Sequence, residues 1–283
     1  MAEQRSSEWP LVVFTVGIQL SFGVTMATTA IDFFGSRETP SVTALGTLVF
    51  PIIASALIGS AFHLGRPFSG WRALSNLLES RLTAEVAVTV VLAASALVYS
   101  IACVAGLPKQ RLAVGVATLF LAALAVVLSA RIYTIKTQPF WAAQWVLSSF
   151  VGSALVIGGT VGTWCLSRVT HVQLQNLFTA TAVVGALLVL FSIARMMQKY
   201  RNLAKTRYAK PCAPSVLTSA DRSFIGASAL FAGVSPLVLA VTLCSGWGAV
   251  TSELAIGILL LALAGVTLGR AAMYSLGTAL SGF

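Results

Sequence analysis

The chain has 283 residues, of which 57% are hydrophobic and only 9% are charged, and its mean hydropathy is +0.90. Average soluble proteins carry roughly 25% charged residues, so this chain has too little polar surface to cover a water-soluble fold. The formal net charge of +10 is spread over the segments between apolar runs. No nucleic-acid-binding motif accompanies that charge, and we therefore expect no nucleic acid partner.

Long stretches without Asp, Glu, Lys or Arg follow one another along the chain. A helix needs roughly 20 apolar residues to cross a bilayer, and lipid admits only helices or closed barrels. Barrel strands would instead show short alternating segments. The sequence therefore predicts an all-α integral membrane protein, in which residues 1–283 form a single membrane domain, a bundle of eight transmembrane helices. The predicted helices cover about residues 10–34, 42–62, 84–107, 112–133, 140–166, 174–197, 224–246 and 252–275.

Eight spans place both termini on the same side of the membrane, together with the second, fourth and sixth loops. On that topology, fourteen of the eighteen basic residues lie on the terminal side, and only Arg37, Lys109, Arg111 and Arg168 lie on the other. The positive-inside rule then makes the terminal side cytoplasmic. The most basic loop, predicted at Lys199–Arg222, is interpreted as a topology determinant or lipid-headgroup patch, or else as a docking surface for an acidic partner.

The cysteines and histidines argue against a metal centre in this chain. The four cysteines are scattered with no C-x-x-C pair, which leaves no iron–sulfur or zinc motif. The two histidines, His63 and His171, fall on opposite sides of the predicted bundle, roughly 30 Å apart, and cannot share one haem iron. We expect no haem, no Fe–S cluster and no metal.

His63 is the first candidate for chemistry, because it ends the second predicted helix on the charged side. Arg66 and Arg72 follow it, and Glu85 opens the third helix on the same side. Ionisable residues at membrane depth are functional candidates. A histidine beside a carboxylate and arginines can hydrogen-bond a quinone carbonyl and pass its proton to water. The competing interpretation is an interfacial histidine that titrates without a further role.

The last predicted helix carries Arg270 and Tyr274 within an apolar stretch. Arg270 must therefore extend to the membrane surface or find a partner such as Glu85. Arg131, Tyr133 and Trp141 flank the fourth loop, where an interfacial belt of aromatic and basic residues is the ordinary interpretation.

Four short sequence motifs, taken in chain order, suggest membership of a known family. They are E-W-P-L-V-V-F-T (Glu8–Thr15), H-L-G-R-P (His63–Pro67) with Glu85, R-I-Y to T-Q-P-F-W (Arg131–Trp141), and L-G-R-A-A-M-Y (Leu268–Tyr274). With these strings at their spacing and with eight spans, the chain resembles the membrane-anchor subunit of DMSO reductase and related molybdenum oxidoreductases.

The resemblance implies a haem-free anchor, multi-pass in the cytoplasmic (inner) membrane, that binds menaquinol or menaquinone as its substrate. Its partners would be a four-cluster-type iron–sulfur electron-transfer subunit and a catalytic subunit holding molybdenum bis-MGD. The anchor would form the quinol site of the oxidoreductase and would not act on the terminal substrate by itself. The family's quinol-site histidine falls on His63, and its acidic residue at the head of the third helix falls on Glu85.

Two sets of residues follow from the residue patterns and the resemblance together. The predicted quinol-binding and proton-transfer residues are His63, Arg66, Arg72, Glu85, Arg270 and Tyr274. The predicted partner-docking residues are Glu8, Trp9, Arg131, Tyr133, Lys136 and Trp141.

The chain departs from the family pattern at Lys136, Val266 and Gly277, where Asp, Glu and His are common. In the DMSO reductase type the soluble subunits face outward, whereas the charge distribution makes this face cytoplasmic. A cytoplasmic arrangement resembles the sulfite-oxidising complexes, which reduce quinone. Both directions of electron flow stay open.

Two further functions compete with a quinol-linked anchor. One is a secondary transporter, a class that favours inverted repeats and broken helices meeting at mid-membrane. The sequence shows neither feature, since its polar residues lie at one boundary of the predicted bundle. The second is a structural anchor without a quinone site.

Overall fold

A computed structural model describes residues 9–34, 40–61, 81–134, 140, 144–167, 172–207, 218–244 and 251–281. Eight helices in these ranges are long and apolar enough to cross a membrane, which confirms the predicted all-α, eight-helix membrane fold. The helices are α1 (Trp9–Phe34), α2 (Pro40–Ala61), α3 (Arg81–Val104), α4 (Pro108–Ile132), α5 (Trp145–Leu166), α6 (Val172–Arg207), α7 (Ser219–Cys244) and α8 (Ser252–Ser281).

The helices pack as two rings of four. In the first ring α1 and α3 each contact α2 and α4, and in the second α5 and α7 each contact α6 and α8. The two rings join where α1 packs against α5. In their most apolar stretches 61% of α1 and 72% of α5 is buried, against 39% or less for every other span. The first helix of each ring therefore forms the centre of the molecule.

The α5–α6 interface depends on glycine. A Cβ added at Gly159 would lie 2.6 Å from the Phe178 carbonyl oxygen and 2.7 Å from the Ala182 Cα. A Cβ at Gly185 of α6 would lie 2.7 Å from the Gly152 carbonyl oxygen. Small residues let membrane helices approach closely, and packing then replaces the missing hydrophobic driving force. The backbones of α5 and α6 are in direct contact at these positions.

Two helices extend beyond the predicted bounds around the basic loop. Helix α6 continues to Arg207, ten residues past the predicted end, because Lys, Arg, Leu and Ala favour helix and no Pro or Gly interrupts them. Helix α7 begins at Ser219, five residues early, where Thr218 and Asp221 form a capping box. Much of the predicted basic loop is therefore helical. In contrast, α5 begins at Trp145, five residues later than predicted, and Phe140 lies in a turn with its ring 5.4 Å from that of Trp145.

Helix α7 is α-helical over Ser219–Ser228 and Ser235–Cys244, and π-helical over Ala229–Val234 between them. Pro236 explains the change, since a proline inside a helix has no N–H to donate and its ring clashes with the carbonyl four residues earlier. The Ser235 N–H bonds to the Leu230 carbonyl, one residue further back than in an α-helix. The wider turn accommodates the proline without ending the span.

Candidate functional site

Glu85 lies one turn inside the start of α3, and its side chain is buried, with 5% of its surface exposed. Arg81, at the first position of α3, donates to the carbonyl oxygens of Arg131 at 3.3 Å and Thr134 at 3.4 Å, which fixes this end of α3 against the end of α4. Within that interface the Ser129 hydroxyl donates a short hydrogen bond to Glu85 Oε1. The carboxylate is thus held between two helices rather than exposed at their ends.

Two tyrosines form a second set of polar contacts at the same end of the bundle. Tyr133 caps the end of α4 in a helical conformation four residues after Ser129, so both side chains extend from the same side of the helix. The Tyr133 hydroxyl lies 2.9 Å from the hydroxyl of Tyr274 on α8, and their ring centroids are 5.4 Å apart. The Tyr274 hydroxyl also lies 3.4 Å from Thr15 Oγ1 on α1. These contacts bring α1, α4 and α8 together at one end of the bundle.

Arg270 is buried one turn before Tyr274, with 1% of its surface exposed. Its guanidinium carbon lies 3.6 Å from the centroid of the Phe150 ring, a cation–π contact, and Nη1 lies 3.4 Å from Met273 Sδ. The sequence predicts either extension to the membrane surface or pairing with a partner such as Glu85. The side chain stays in the interior instead of extending to the surface, and its partner is the Phe150 ring, since no salt bridge joins it to Glu85 among the described residues.

Glu85 and Arg270 nevertheless lie near the same two groups, within electrostatic range of Tyr133 and Tyr274. Phe150 completes the arrangement, with its ring centroid 5.9 Å from that of Tyr133. We call this set of side chains from five helices the polar cluster; it consists of Thr15, Glu85, Ser129, Tyr133, Phe150, Arg270 and Tyr274. It places a carboxylate, a cation and two linked phenols together in the interior of the bundle.

The structure brings three of the six predicted quinol-site residues together, namely Glu85, Arg270 and Tyr274. The other three, His63, Arg66 and Arg72, lie outside the described residues, as do the predicted docking residues Glu8, Lys136 and Trp141. Among the remaining docking residues, Trp9 is 47% exposed at the start of α1 and Arg131 is exposed at the end of α4. Tyr133 is half-buried, with its hydroxyl on Tyr274, and its part in docking stays a prediction.

Sequence reasoning missed Thr15, Ser129 and Phe150 as members of the polar cluster. The four-residue spacing of Ser129 from Tyr133 is a signal for Ser129, because positions i and i+4 share a side of a helix and Tyr133 was already a candidate. Phe150 gives no such signal, since its ring contacts Arg270 only through the packing of α5 on α8.

A family model, DMSO reductase anchor subunit (DmsC), matches residues 3–276. A search of curated proteins gave no significant match. The match covers nearly the whole chain, including all eight spans and the polar cluster. The chain belongs to the DMSO reductase anchor subunit family, and is therefore a multi-pass membrane anchor subunit that associates with catalytic and electron-transfer subunits.

Proposed function

We propose that this anchor subunit oxidises menaquinol beside the polar cluster and delivers the electrons to a four-cluster-type iron–sulfur subunit. From there the electrons pass to a catalytic subunit with molybdenum bis-MGD, in a complex of the cytoplasmic membrane. Beyond the family membership, the proposal depends on the position of Glu85. This buried carboxylate lies one turn inside the start of α3.

Quinol oxidation releases two protons along with two electrons, so the site needs proton acceptors where the electrons leave. Glu85 supplies a carboxylate, and the sequence adds His63 at the end of the second predicted span. Histidine titrates near neutral pH and suits transfer of a proton to water. Arg66 and Arg72 follow His63 and would orient a quinol oxygen through their N–H groups.

In this proposal, Tyr133, Tyr274 and Arg270 take part in proton transfer. The linked hydroxyls of Tyr133 and Tyr274 extend from the Glu85 side of the cluster into the bundle. The Glu85 carboxylate and the Arg270 cation lie within electrostatic range of these hydroxyls, so their hydrogen bonds would be sensitive to a change of charge at Glu85. The cluster would therefore respond as a unit when Glu85 takes up a proton.

Electron transfer sets where the partner binds. The chain is expected to hold no redox centre of its own, so the quinol must lie within tunnelling distance of the partner's nearest cluster. Exposed Trp9 and Arg131 lie at the start of α1 and the end of α4, the helix ends that also carry the polar cluster. We propose docking over this end of the bundle, together with Glu8, Tyr133, Lys136 and Trp141.

The purified complex tests the proposal directly. His63→Leu and Glu85→Gln should each keep dye-linked reduction of the terminal acceptor, which bypasses the quinol site. Each should lower quinol-linked turnover about 10²-fold or more, the ordinary contribution of a positioned acid or base. Glu253→Gln is the matched control, since Glu253 is an exposed carboxylate at the start of α8. Normal quinol-linked turnover in both site variants, with no binding of quinone analogues, would instead indicate a structural anchor without a quinone site.

A second candidate is the reverse reaction, reduction of quinone by cytoplasmic catalytic subunits of the sulfite-oxidising type. The charge distribution favours it, because the loops predicted on the terminal side carry fourteen of eighteen basic residues. A twin-arginine export signal on the catalytic partner would rule it out. Labelling of a Lys199→Cys variant by an impermeant thiol reagent in oriented vesicles provides an independent test of sidedness. The family membership argues against a secondary transporter.

A further inference from the structure

A small cavity lies among α5, α6, α7 and α8, next to the polar cluster. Its volume is about 20 Å³, room for a single water-sized particle. Arg270 and Trp145 line it, and the hydroxyl-bearing residues around it are Ser149, Ser153, Ser192 and Ser228. A quinone headgroup cannot enter such a space, and neither can a polyatomic anion such as phosphate.

Two of the residues that line this cavity carry hydrogen-bond donors without acceptors. Arg270 Nε and Nη2 and Trp145 Nε1 are buried and have no hydrogen-bond partner among the described residues. All three are N–H groups with no capacity to accept. Leaving a buried donor unsatisfied costs its full desolvation penalty, which is larger still for a charged group. The site therefore requires an acceptor.

Water is a poor match for these donors. A water oxygen has two lone pairs, whereas the three unpartnered nitrogens carry more than two N–H bonds. A water also leaves the charge of Arg270 uncompensated in the interior, where an isolated ion is strongly disfavoured. A monatomic anion accepts hydrogen bonds from every direction and neutralises that charge.

No acidic side chain lines the cavity among the described residues. The nearby carboxylates are engaged elsewhere: Glu85 accepts from Ser129, and Asp221 accepts from Thr218 and Ser275. The Ser192 hydroxyl already donates to the Val189 carbonyl, so it is not available as a donor. The other three serines can turn their hydroxyls toward the cavity and add donors to those of Arg270 and Trp145.

We propose that this cavity binds one monatomic anion of the size of chloride, held by Arg270 and Trp145. The anion neutralises the buried guanidinium and joins α5 to α8 within the second ring of helices. The proposal shares Arg270 with the proposed quinol chemistry but concerns a different ligand, and its tests measure halide-dependent stability, not quinol-linked turnover. Its loss would affect the stability of the bundle even if the protein binds no quinol.

Thermal unfolding of the purified complex tests the proposal. At constant ionic strength, chloride or bromide should raise the Tm of the anchor subunit above its value in gluconate, which is too large for the cavity. Ligand that binds only the folded state stabilises it in proportion to the logarithm of its concentration. The Tm should therefore rise with halide concentration, whereas equal Tm values in chloride and gluconate would overturn the proposal.

Variants identify the residues involved. Trp145→Phe keeps an aromatic ring and removes one N–H, and should weaken halide binding about tenfold, the effect of one hydrogen bond to a charged partner. Arg270→Gln should abolish the halide effect, while Arg195→Gln, at an exposed arginine of α6, should leave it unchanged. An unchanged halide response in Trp145→Phe would contradict the site even if Arg270→Gln failed to fold.

Crystals of the complex soaked in bromide give a second, independent readout. An anomalous peak within hydrogen-bond distance of Arg270 and Trp145 would support the proposal. Density of a water alone at this position, with no anomalous signal, would overturn it.

Discussion

Asp32 and Arg111 form a buried ion pair at the end of the bundle away from the polar cluster. Arg111 Nε donates to Asp32 Oδ2 at 2.7 Å and Arg111 Nη2 to Oδ1 at 2.5 Å, while Nη1 donates to Thr43 Oγ1 at 3.0 Å. Only 2% of Asp32 and 3% of Arg111 is exposed. The bidentate geometry satisfies both carboxylate oxygens and ties α1, α2 and α4 together.

Removing one member of this pair should be more damaging than removing both. Arg111→Met leaves the Asp32 carboxylate buried without its cation, and should lower the free energy of unfolding by about 3–5 kcal/mol. The double variant Asp32→Leu/Arg111→Met should recover most of that loss, because no unpaired charge remains. Thermal unfolding in detergent measures both. Lys109→Met is the control, an exposed cation two residues away that should have little effect. Additive losses in the double variant would contradict this role of the pair.

The α5–α6 contact predicts a strong difference between two glycines. Gly159→Ala places a Cβ within 2.6 Å of backbone atoms of α6 and should destabilise the fold by about 1–3 kcal/mol or more. Gly257→Ala meets nothing within 4 Å, and should be neutral or stabilising by up to about 1 kcal/mol, since Gly weakens a helix interior. The Tm of Gly159→Ala should therefore be lower than the Tm of Gly257→Ala, as measured by thermal unfolding of the two variants. Equal values would show that α5 and α6 can separate without loss.

The spans were predictable because each apolar run is long enough to cross lipid and few charges interrupt it. Glu85 and the pair Arg270 and Tyr274 were identified for the same reason, as ionisable or polar groups inside such runs. The helix ends were less predictable. The extension of α6 to Arg207 depends on helix propensity beyond the apolar stretch, which a hydropathy boundary ignores.

Contacts between distant parts of the chain had no local signal. Asp32 and Arg111 are 79 residues apart and resemble ordinary boundary charges until the fold places them together. The environment of Arg270 likewise depends on Phe150 and Trp145, and no local pattern in the sequence indicates that these residues lie beside it. Pairing across helices is set by packing, whereas the sequence displays only the pattern within each helix.

Asp221 links the start of α7 to the end of α8 through hydrogen bonds, and we expect both helix ends to depend on it for stability. Its Oδ2 accepts from the Thr218 N–H at 3.0 Å, and its Oδ1 accepts from Ser275 Oγ at 2.8 Å. Asp221→Asn keeps one oxygen acceptor and replaces the other with an NH₂ donor, so it should cost about 1–2 kcal/mol of stability. Ser223→Ala, at an exposed position of the same turn, should change the Tm little. A wild-type Tm for Asp221→Asn would show that the bonds from Thr218 and Ser275 to Asp221 contribute little to the stability of this end of α7.

The hydroxyl pair of Tyr133 and Tyr274 gives the most direct test of proton transfer through the polar cluster. Tyr274→Phe removes the hydroxyl that lies 2.9 Å from Tyr133 and leaves the ring in place. If the pair redistributes charge when Glu85 takes up a proton, quinol-linked turnover should fall about tenfold or more, while dye-linked activity is unchanged. Tyr133→Phe should have a similar effect, and the double variant should be little worse than either single one, because the two hydroxyls act together.

Tyr99→Phe is the matched control for these variants. Tyr99 is fully buried on α3, and its hydroxyl donates to Thr28 Oγ1 at 2.9 Å, so the substitution removes a comparable interior hydrogen bond. It lies fourteen residues beyond Glu85, about 21 Å along the helix. Tyr99→Phe should therefore lower stability without lowering the ratio of quinol-linked to dye-linked turnover. Equal ratios in Tyr99→Phe and Tyr274→Phe would mean that the tyrosine pair only stabilises the bundle, and that protons leave Glu85 by another route.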